Sequence, residues 1–240
     1  MKILHVNAYK KSGGASIAVD RLVAAQRRAG HIADVLALDG DEYLPQGLIK
    51  HKILVRLFGF LSRRVGRFLT SDSTGMHSIS IFGAYNERKL ISFCQKYDIV
   101  QLHWVQNDQL TIKMISRLSH CLPICWTLHD TWPIGSFEHY FDNDKKFNIL
   151  ERGYRSKKYR KFHDLAFIAP SKWMEQQIKL FNQDQLVKNI PNTLNESLWC
   201  LKTNYGTISE KAIGSKIKVC FAAMGGDSDP RKGADLLVES

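Results

Sequence analysis

Short apolar runs that close in polar residues recur along this chain, separated by segments of helical spacing. KILHVN opens it as a short strand, and KKSGGAS follows as a glycine-bearing turn. IAVDRLVAAQRRAG then sets Ile17, Leu22, Val23 and Ala25 near helical spacing until Gly30 closes the element. ADVLALD is the next strand and completes a β-α-β unit. YDIVQLHWV, LPICWTLHD and LAFIAPS come later, each an apolar strand ending in polar residues, with helical stretches between them. Strands that are apolar throughout, rather than alternating, belong in a parallel sheet covered on both faces. The pattern predicts an α/β fold built on a doubly wound parallel sheet.

In such sheets ligands bind outside the carboxyl ends of the strands. The residues the pattern places there are Asn7 with Gly13 and Gly14, then His103, then His129 and Asp130, then Pro170 and Ser171, then Pro191 and Asn192. A lone histidine is commonly structural, but two at adjacent strand ends of one sheet point to a functional role, above all for His129. Gly13 and Gly14 have two compatible readings. They permit a tight strand-to-helix turn, and they leave backbone amides at a helix N terminus open to an anion. The loop is not GxGxxG, so it gives no support for NAD.

Composition narrows the partners. The 240 residues hold one large domain or two small ones, with 44% hydrophobic residues for a core. A net charge of +11 calls for an anionic partner: a membrane surface, a nucleic acid or a phosphorylated substrate. The five cysteines are odd in number and lack zinc-like CxxC spacing, which favours a reducing cytosol. Cys121 and Cys125 read as buried apolar fillers, with a metal or redox role as the alternative. The N terminus lacks the apolar core of a signal peptide, and no run is long enough to span a bilayer. A cytoplasmic protein, soluble or held on the inner membrane face, is expected.

Residues 50 to 69, KHKILVRLFGFLSRRVGRFL, put Leu54, Phe58, Leu61, Val65 and Phe68 on one helical stripe, with Lys52, Arg56, Arg63, Arg64 and Arg67 elsewhere. This is a candidate interfacial helix for an anionic membrane, or else a helix whose stripe packs on the sheet. A second basic cluster, ERGYRSKKYRKFH, reads as a solvated helix face or an acceptor rim. Its Tyr154 and Tyr159 could stack on bases, but no nucleic-acid motif accompanies them and that reading leaves His103 and His129 unexplained, so no nucleic-acid partner is expected. Asp227-Ser228-Asp229 forms a DxD, and His139 lies near Glu138 and Asp142. Both read as polar loops rather than metal sites.

SGGAS after the first strand, DIVQLHWV, PICWTLHDTWP, FIAPSKWM, NIPNTLNESLW and a closing strand followed by DPRKGADLL, in that order, resemble glycosyltransferases of family 4 with the GT-B fold. The similarity is to transferases of bacterial polysaccharide and colanic-acid-type assembly. It implies two Rossmann-like domains facing across a cleft, the first receiving the acceptor and the second gripping a nucleotide sugar. On this resemblance residues 1 to 205 form the first domain, 206 to 215 a linker, and 216 to 240 the opening strand, loop and helix of a truncated second domain.

The resemblance also implies roles. Gly14, with Gly13 beside it, matches the loop that approaches the donor diphosphate. His129 matches the histidine that contacts the transferred sugar, with Asp130 next to it in the catalytic set. His103 and Trp132 fall on the acceptor side, and Lys232 with Arg231 matches the cation that neutralises the donor phosphates. Amides and cations can carry the charge of a departing diphosphate without a metal, so no cofactor is expected. Retention of the anomeric configuration and a glycan or lipid-linked glycan acceptor are implied as well. Three departures weigh against activity of this chain alone: Gly226 stands where an arginine is common, the paired glutamates fall beyond the matched part, and PIGSFEHYFDNDKKF lacks the cysteines of some relatives. A non-catalytic acceptor-binding module completed by a partner chain is the alternative.

Overall fold

The computed structural model describes residues 1–10, 13–37, 46–49, 52–70, 77–106, 108–141, 145–195, 221–222 and 233–239. The chain divides into two compact units, Met1–Asn195 and Glu196–Ser240. The second contributes one described helix, α7 (Ala234–Glu239). Arg231, Lys232, the DxD at 227–229 and the expected linker at 206–215 lie outside the described residues.

The first unit is a six-stranded sheet in the order β2-β1-β3-β4-β5-β6. Its strands are β1 (Lys2–Val6), β2 (Ile32–Leu36), β3 (Ile99–Leu102), β4 (Ile124–Thr127), β5 (Ala166–Ala169) and β6 (Val187–Asn189). Every neighbouring pair is parallel. Among the described residues six helices connect them: α1 (Gly14–Arg28), α2 (Lys52–Leu69), α3 (Glu87–Cys94), α4 (Ile112–Ser119), α5 (Ile149–Phe162) and α6 (Lys172–Phe181). This is the doubly wound, Rossmann-like sheet that the apolar runs predict. The winding reverses between β1 and β3, the switch point at which loops diverge.

Local chemistry starts the helices where they start. Asn86, Thr111 and Ser171 each accept from a backbone amide three residues on, and Asn148 with Glu151 forms a capping box. Each such cap is worth about 1 kcal/mol.

The two faces of the sheet differ, and the difference positions the site. Leu4 and Val6 of β1, Val100 and Leu102 of β3, and Trp126 with Leu128 along β4 all enter the main core. There Trp126 meets Phe162 and Phe167 edge-on, with ring centroids 5.3 and 6.1 Å away. Side chains alternate along a strand, so His5, Gln101, His103, Thr127 and His129 share the opposite face. A smaller cluster of Val19, Val23 and Ala33 covers part of that face.

Three details depart from the sequence reading, and α2 follows one of its two alternatives. The buried face of α1 runs through Ser16, Val19 and Val23, while Ile17 is exposed, because the small second cluster sets the helix orientation. That rotation brings Gln26 onto β1. The stripe of α2 does not pack inward: Gly59, Ser62 and Gly66 are buried, whereas Ile53, Phe60, Leu61, Val65 and Phe68 are exposed. The side chain of Leu54 lies outside the described residues, and Phe58 is half-buried against Phe82. Cys121 is exposed in the turn after α4 rather than a buried filler. Finally, β6 is a three-residue edge strand without an apolar run.

Candidate functional site

The carboxyl ends of β4, β5 and β6 open into a cavity of about 230 Å³. Leu128, His129, Asp130, Thr131, Tyr140, Pro170, Ser171, Trp173, Met174 and Asn192 line it. Of the strand-end residues read from the sequence, His129, Asp130, Pro170, Ser171 and Asn192 converge here, whereas Asn7, Gly13, Gly14, His103 and Pro191 do not. Tyr140 and Trp173 add two aromatic side chains that stay 47% and 46% exposed. An open aromatic beside hydroxyl and imidazole groups suits a polyol ligand, whose C–H faces pack on rings while its hydroxyls bond to polar groups.

His129 enters this cavity as the end of a file of imidazoles. Its Nε2 lies 3.1 Å from Nδ1 of His103, whose Nε2 lies 3.0 Å from Nδ1 of His5. Nε2 of His5 in turn lies 2.7 Å from Oε1 of Gln26 on α1. His5 and His103 are buried, and His129 is half-buried. Burial pushes all three below the ordinary histidine value. At His103 the neighbouring His129 and His5 add to that effect, while Asp130 opposes it at His129. At His5 the bond to Gln26 opposes it and Arg27 reinforces it. Burial thus favours the neutral form of all three rings.

Asp130 faces away from this file. Its Oδ2 accepts from Nε1 of Trp104 and Nδ1 of His139, each at 2.7 Å, and its Oδ1 accepts from Nε2 of Gln106 at 2.8 Å and the Trp132 amide at 3.1 Å. Four donors saturate one buried carboxylate, which pins the loop after β4 to the loop after β3. Lys158 of α5 fixes the same loop from below. Its buried Nζ donates to the carbonyls of Trp132 and Ser136 and sits 3.6 Å over the Trp132 ring, and burial pushes its pKa well below the ordinary lysine value.

The other predicted residues fall in distinct places. Trp132 is fully buried, donates from Nε1 to the Ser78 carbonyl at 2.8 Å, and does not reach the cavity. His103 is likewise buried and touches the site only through His129. Gly13 caps α1 with φ of +88°, a conformation that favours glycine. A Cβ at Gly13 or Gly14 would meet nothing within 4 Å, so the space over this helix end is open. His139 is tied to Asp130 and, at 3.1 Å, to Ser78. Among the described residues no group of histidine, cysteine or carboxylate side chains could hold a metal ion.

His5, Gln26, Tyr140 and Trp173 were not picked out by sequence reading. The signal for His5 was available: a histidine inside an apolar strand, with Gln101 and His103, and Thr127 and His129, two apart on later strands. A polar residue on alternate positions of a buried strand marks one shared polar face.

A family model described as Glycosyltransferase Family 4 matches residues 12–198. No curated protein matches the chain. Two solved structures of Alr3699/HepE from Anabaena are similar to it. The one in complex with UDP-glucose is 16% identical, with 83% of this chain and 46% of that chain covered and a TM-score of 0.45. The one in complex with UDP is 17% identical, with 82% and 46% covered and a TM-score of 0.43. The chain thus spans less than half the length of these structures.

Proposed function

Since this chain belongs to glycosyltransferase family 4, we propose that it forms the acceptor-side, Rossmann-like half of a GT-B enzyme. The whole protein then moves a hexose from a nucleotide sugar to a glycan or lipid-linked glycan in cell-surface polysaccharide assembly. The observation that carries this reading is the cavity at the ends of β4 to β6, where neutral His129 stands beside Tyr140, Trp173 and Asn192. His129 contacts the transferred sugar, and the aromatic rings support it. The open amides of Gly13 and Gly14 approach the donor diphosphate. Lys232 with Arg231, in a donor-side domain that begins near residue 216, neutralises the phosphates.

Charge builds on the diphosphate as the sugar departs, and the proposal assigns it to amides and cations rather than to a metal. The acceptor hydroxyl attacks the face that the diphosphate leaves, with the leaving phosphate taking its proton, so configuration is retained. Asp130, with all its capacity spent on four donors, positions the loop that carries His129.

A lipid-linked acceptor needs the enzyme at a membrane. Helix α2 supports that placement: its apolar residues Ile53, Phe60 and Phe68 face solvent, with Arg56 and Arg64 between them. No described helix is long and apolar enough to cross a membrane.

The reading is tested by offering tritiated UDP-, GDP- and dTDP-hexoses to the protein together with lipid-diphosphate-linked glycans. Label entering the lipid extract from one donor, and lost in His129→Ala, supports it. Absence of transfer from all donors, with salt-sensitive binding to arbitrary oligonucleotides instead, contradicts it.

A further inference from the structure

We propose that Gln26 sets the tautomer of His129 through the file of three imidazoles, so that the nitrogen His129 offers to the cavity is an unprotonated acceptor for a sugar hydroxyl. The inference rests on the reading above only for the identity of that hydroxyl. A neutral imidazole carries one N–H, and which nitrogen holds it is set by the partner of the other. The amide oxygen of Gln26 can only accept, so Nε2 of His5, 2.7 Å away, holds the His5 proton. Nδ1 of His5 is then a bare lone pair and takes its bond from Nε2–H of His103 at 3.0 Å. Nδ1 of His103, bare in turn, takes a bond from Nε2–H of His129 at 3.1 Å. Each proton points away from the cavity, and Nδ1 of His129 is left with its lone pair.

The opposite polarity would set the lone pair of His5 Nε2 against the oxygen of Gln26. Extra protons fare no better inside the file. A second proton on His5 or His103 would place two N–H groups face to face across about 3 Å, in a site where an unpaired polar group is costly. Only Nδ1 of His129 can accept a proton without breaking a bond of the file. The charged groups around these rings are Asp130 beside His129 and Arg27 beside His5. The first favours that protonation, the second opposes it at the far end, and burial opposes it throughout. Acid therefore changes His129 from acceptor to donor at a single atom, and the other two rings stay as they are.

Gln26 is a positioning residue, since it touches no ligand and acts through His5 and His103. A structural role alone would not move a tautomer. The protein is labelled with ¹⁵N-histidine and the ring nitrogens are assigned by long-range ¹H–¹⁵N correlation at neutral pH, without donor or acceptor. The expected result is Nε2–H on His5, His103 and His129, with scalar coupling across the bond from His129 Nε2 to His103 Nδ1. Gln26→Leu removes the acceptor and shifts His129 to a mixture of both tautomers; Gln26→Glu, which keeps an acceptor, restores Nε2–H. Nδ1–H on His129 in the unmodified protein overturns the proposal, as does an unchanged His129 in Gln26→Leu. Should Gln26→Leu not fold, the ring assignments of the unmodified protein still test the polarity, and Nδ1–H on any of the three rings overturns it. Because no sugar is present, the tautomer result stands or falls apart from the transfer assay.

Discussion

Asp130 and His139 meet at 2.7 Å, with each side chain only 2% exposed. The pairing makes Asp130 the clasp of two loops, since the same carboxylate also takes Trp104, Gln106 and the Trp132 amide. Asp130→Asn replaces an acceptor-only group by one that must donate, in a shell of four donors. We expect a loss of about 3 kcal/mol in unfolding free energy, the range for breaking a buried charged network. Urea denaturation measures it. A stability equal to that of the unmodified protein would show that the four donors find other partners.

Acid should weaken the fold through the buried imidazoles. Burial lowers His5, His103 and His129 below the ordinary value of about 6.5, so the unfolded chain binds more protons than the folded one as pH falls through that value. Stability therefore rises with pH across this window and is lost on acidification. Urea midpoints at neutral pH and near pH 5.5 should differ in that direction, and His103→Gln should reduce the difference. A midpoint that does not move contradicts neutral burial of the file.

Trp173 and Tyr140 lie on the cavity wall and remain half exposed, so they contribute little to folding. Alanine at either position should change stability by no more than about 0.5 kcal/mol. Affinity for sugar ligands should fall about two- to tenfold with Trp173→Ala, the scale of a lost aromatic contact. Isothermal titration alongside thermal melts separates the two effects. A melt that falls while affinity holds would assign the ring to packing.

Helix α2 should bind anionic bilayers. Sedimentation with vesicles of phosphatidylglycerol and phosphatidylethanolamine is expected to pull down the protein, and phosphatidylcholine vesicles should not. Phe60→Ser with Phe68→Ser should abolish binding while leaving helix content unchanged, because both rings are exposed. Equal binding to neutral vesicles would remove the charge component of the account.

Much of the sheet was legible because its central strands carry apolar stretches with polar stops, the pattern of a covered parallel sheet with a ligand edge. KILHV, DIVQLHW and PICWTLHD each carry the apolar stretch and its polar stop. The edge strand β6 was not, since Val187-Lys188-Asn189 offers a single apolar residue, Val187, to the core. His103 and His129 could be placed at strand ends from spacing, but their contact with each other could not, because it depends on β3 and β4 being neighbours in register. Gln26 was hidden for a further reason: its role depends on the rotation of α1, which Ser16, Val19 and Val23 decide by packing rather than by hydrophobic rank. Tyr140 and Trp173 reach one cavity from segments far apart in sequence. For α2, periodicity revealed an amphipathic helix without its orientation. The small residues Gly59, Ser62 and Gly66 are what turn the apolar side outward, since Gly66 lies close against His77 and Ile79.

The central claim is that the cavity holding His129 receives a sugar. The most direct measurement is a titration of the ¹⁵N-labelled protein with soluble hexoses and nucleotide hexoses, read at the Trp173 indole and the His129 ring. The account predicts saturable shifts at both groups, absent from the Trp132 indole in the core and lost in His129→Ala. Shifts confined to other residues, or none at saturating sugar, would contradict it.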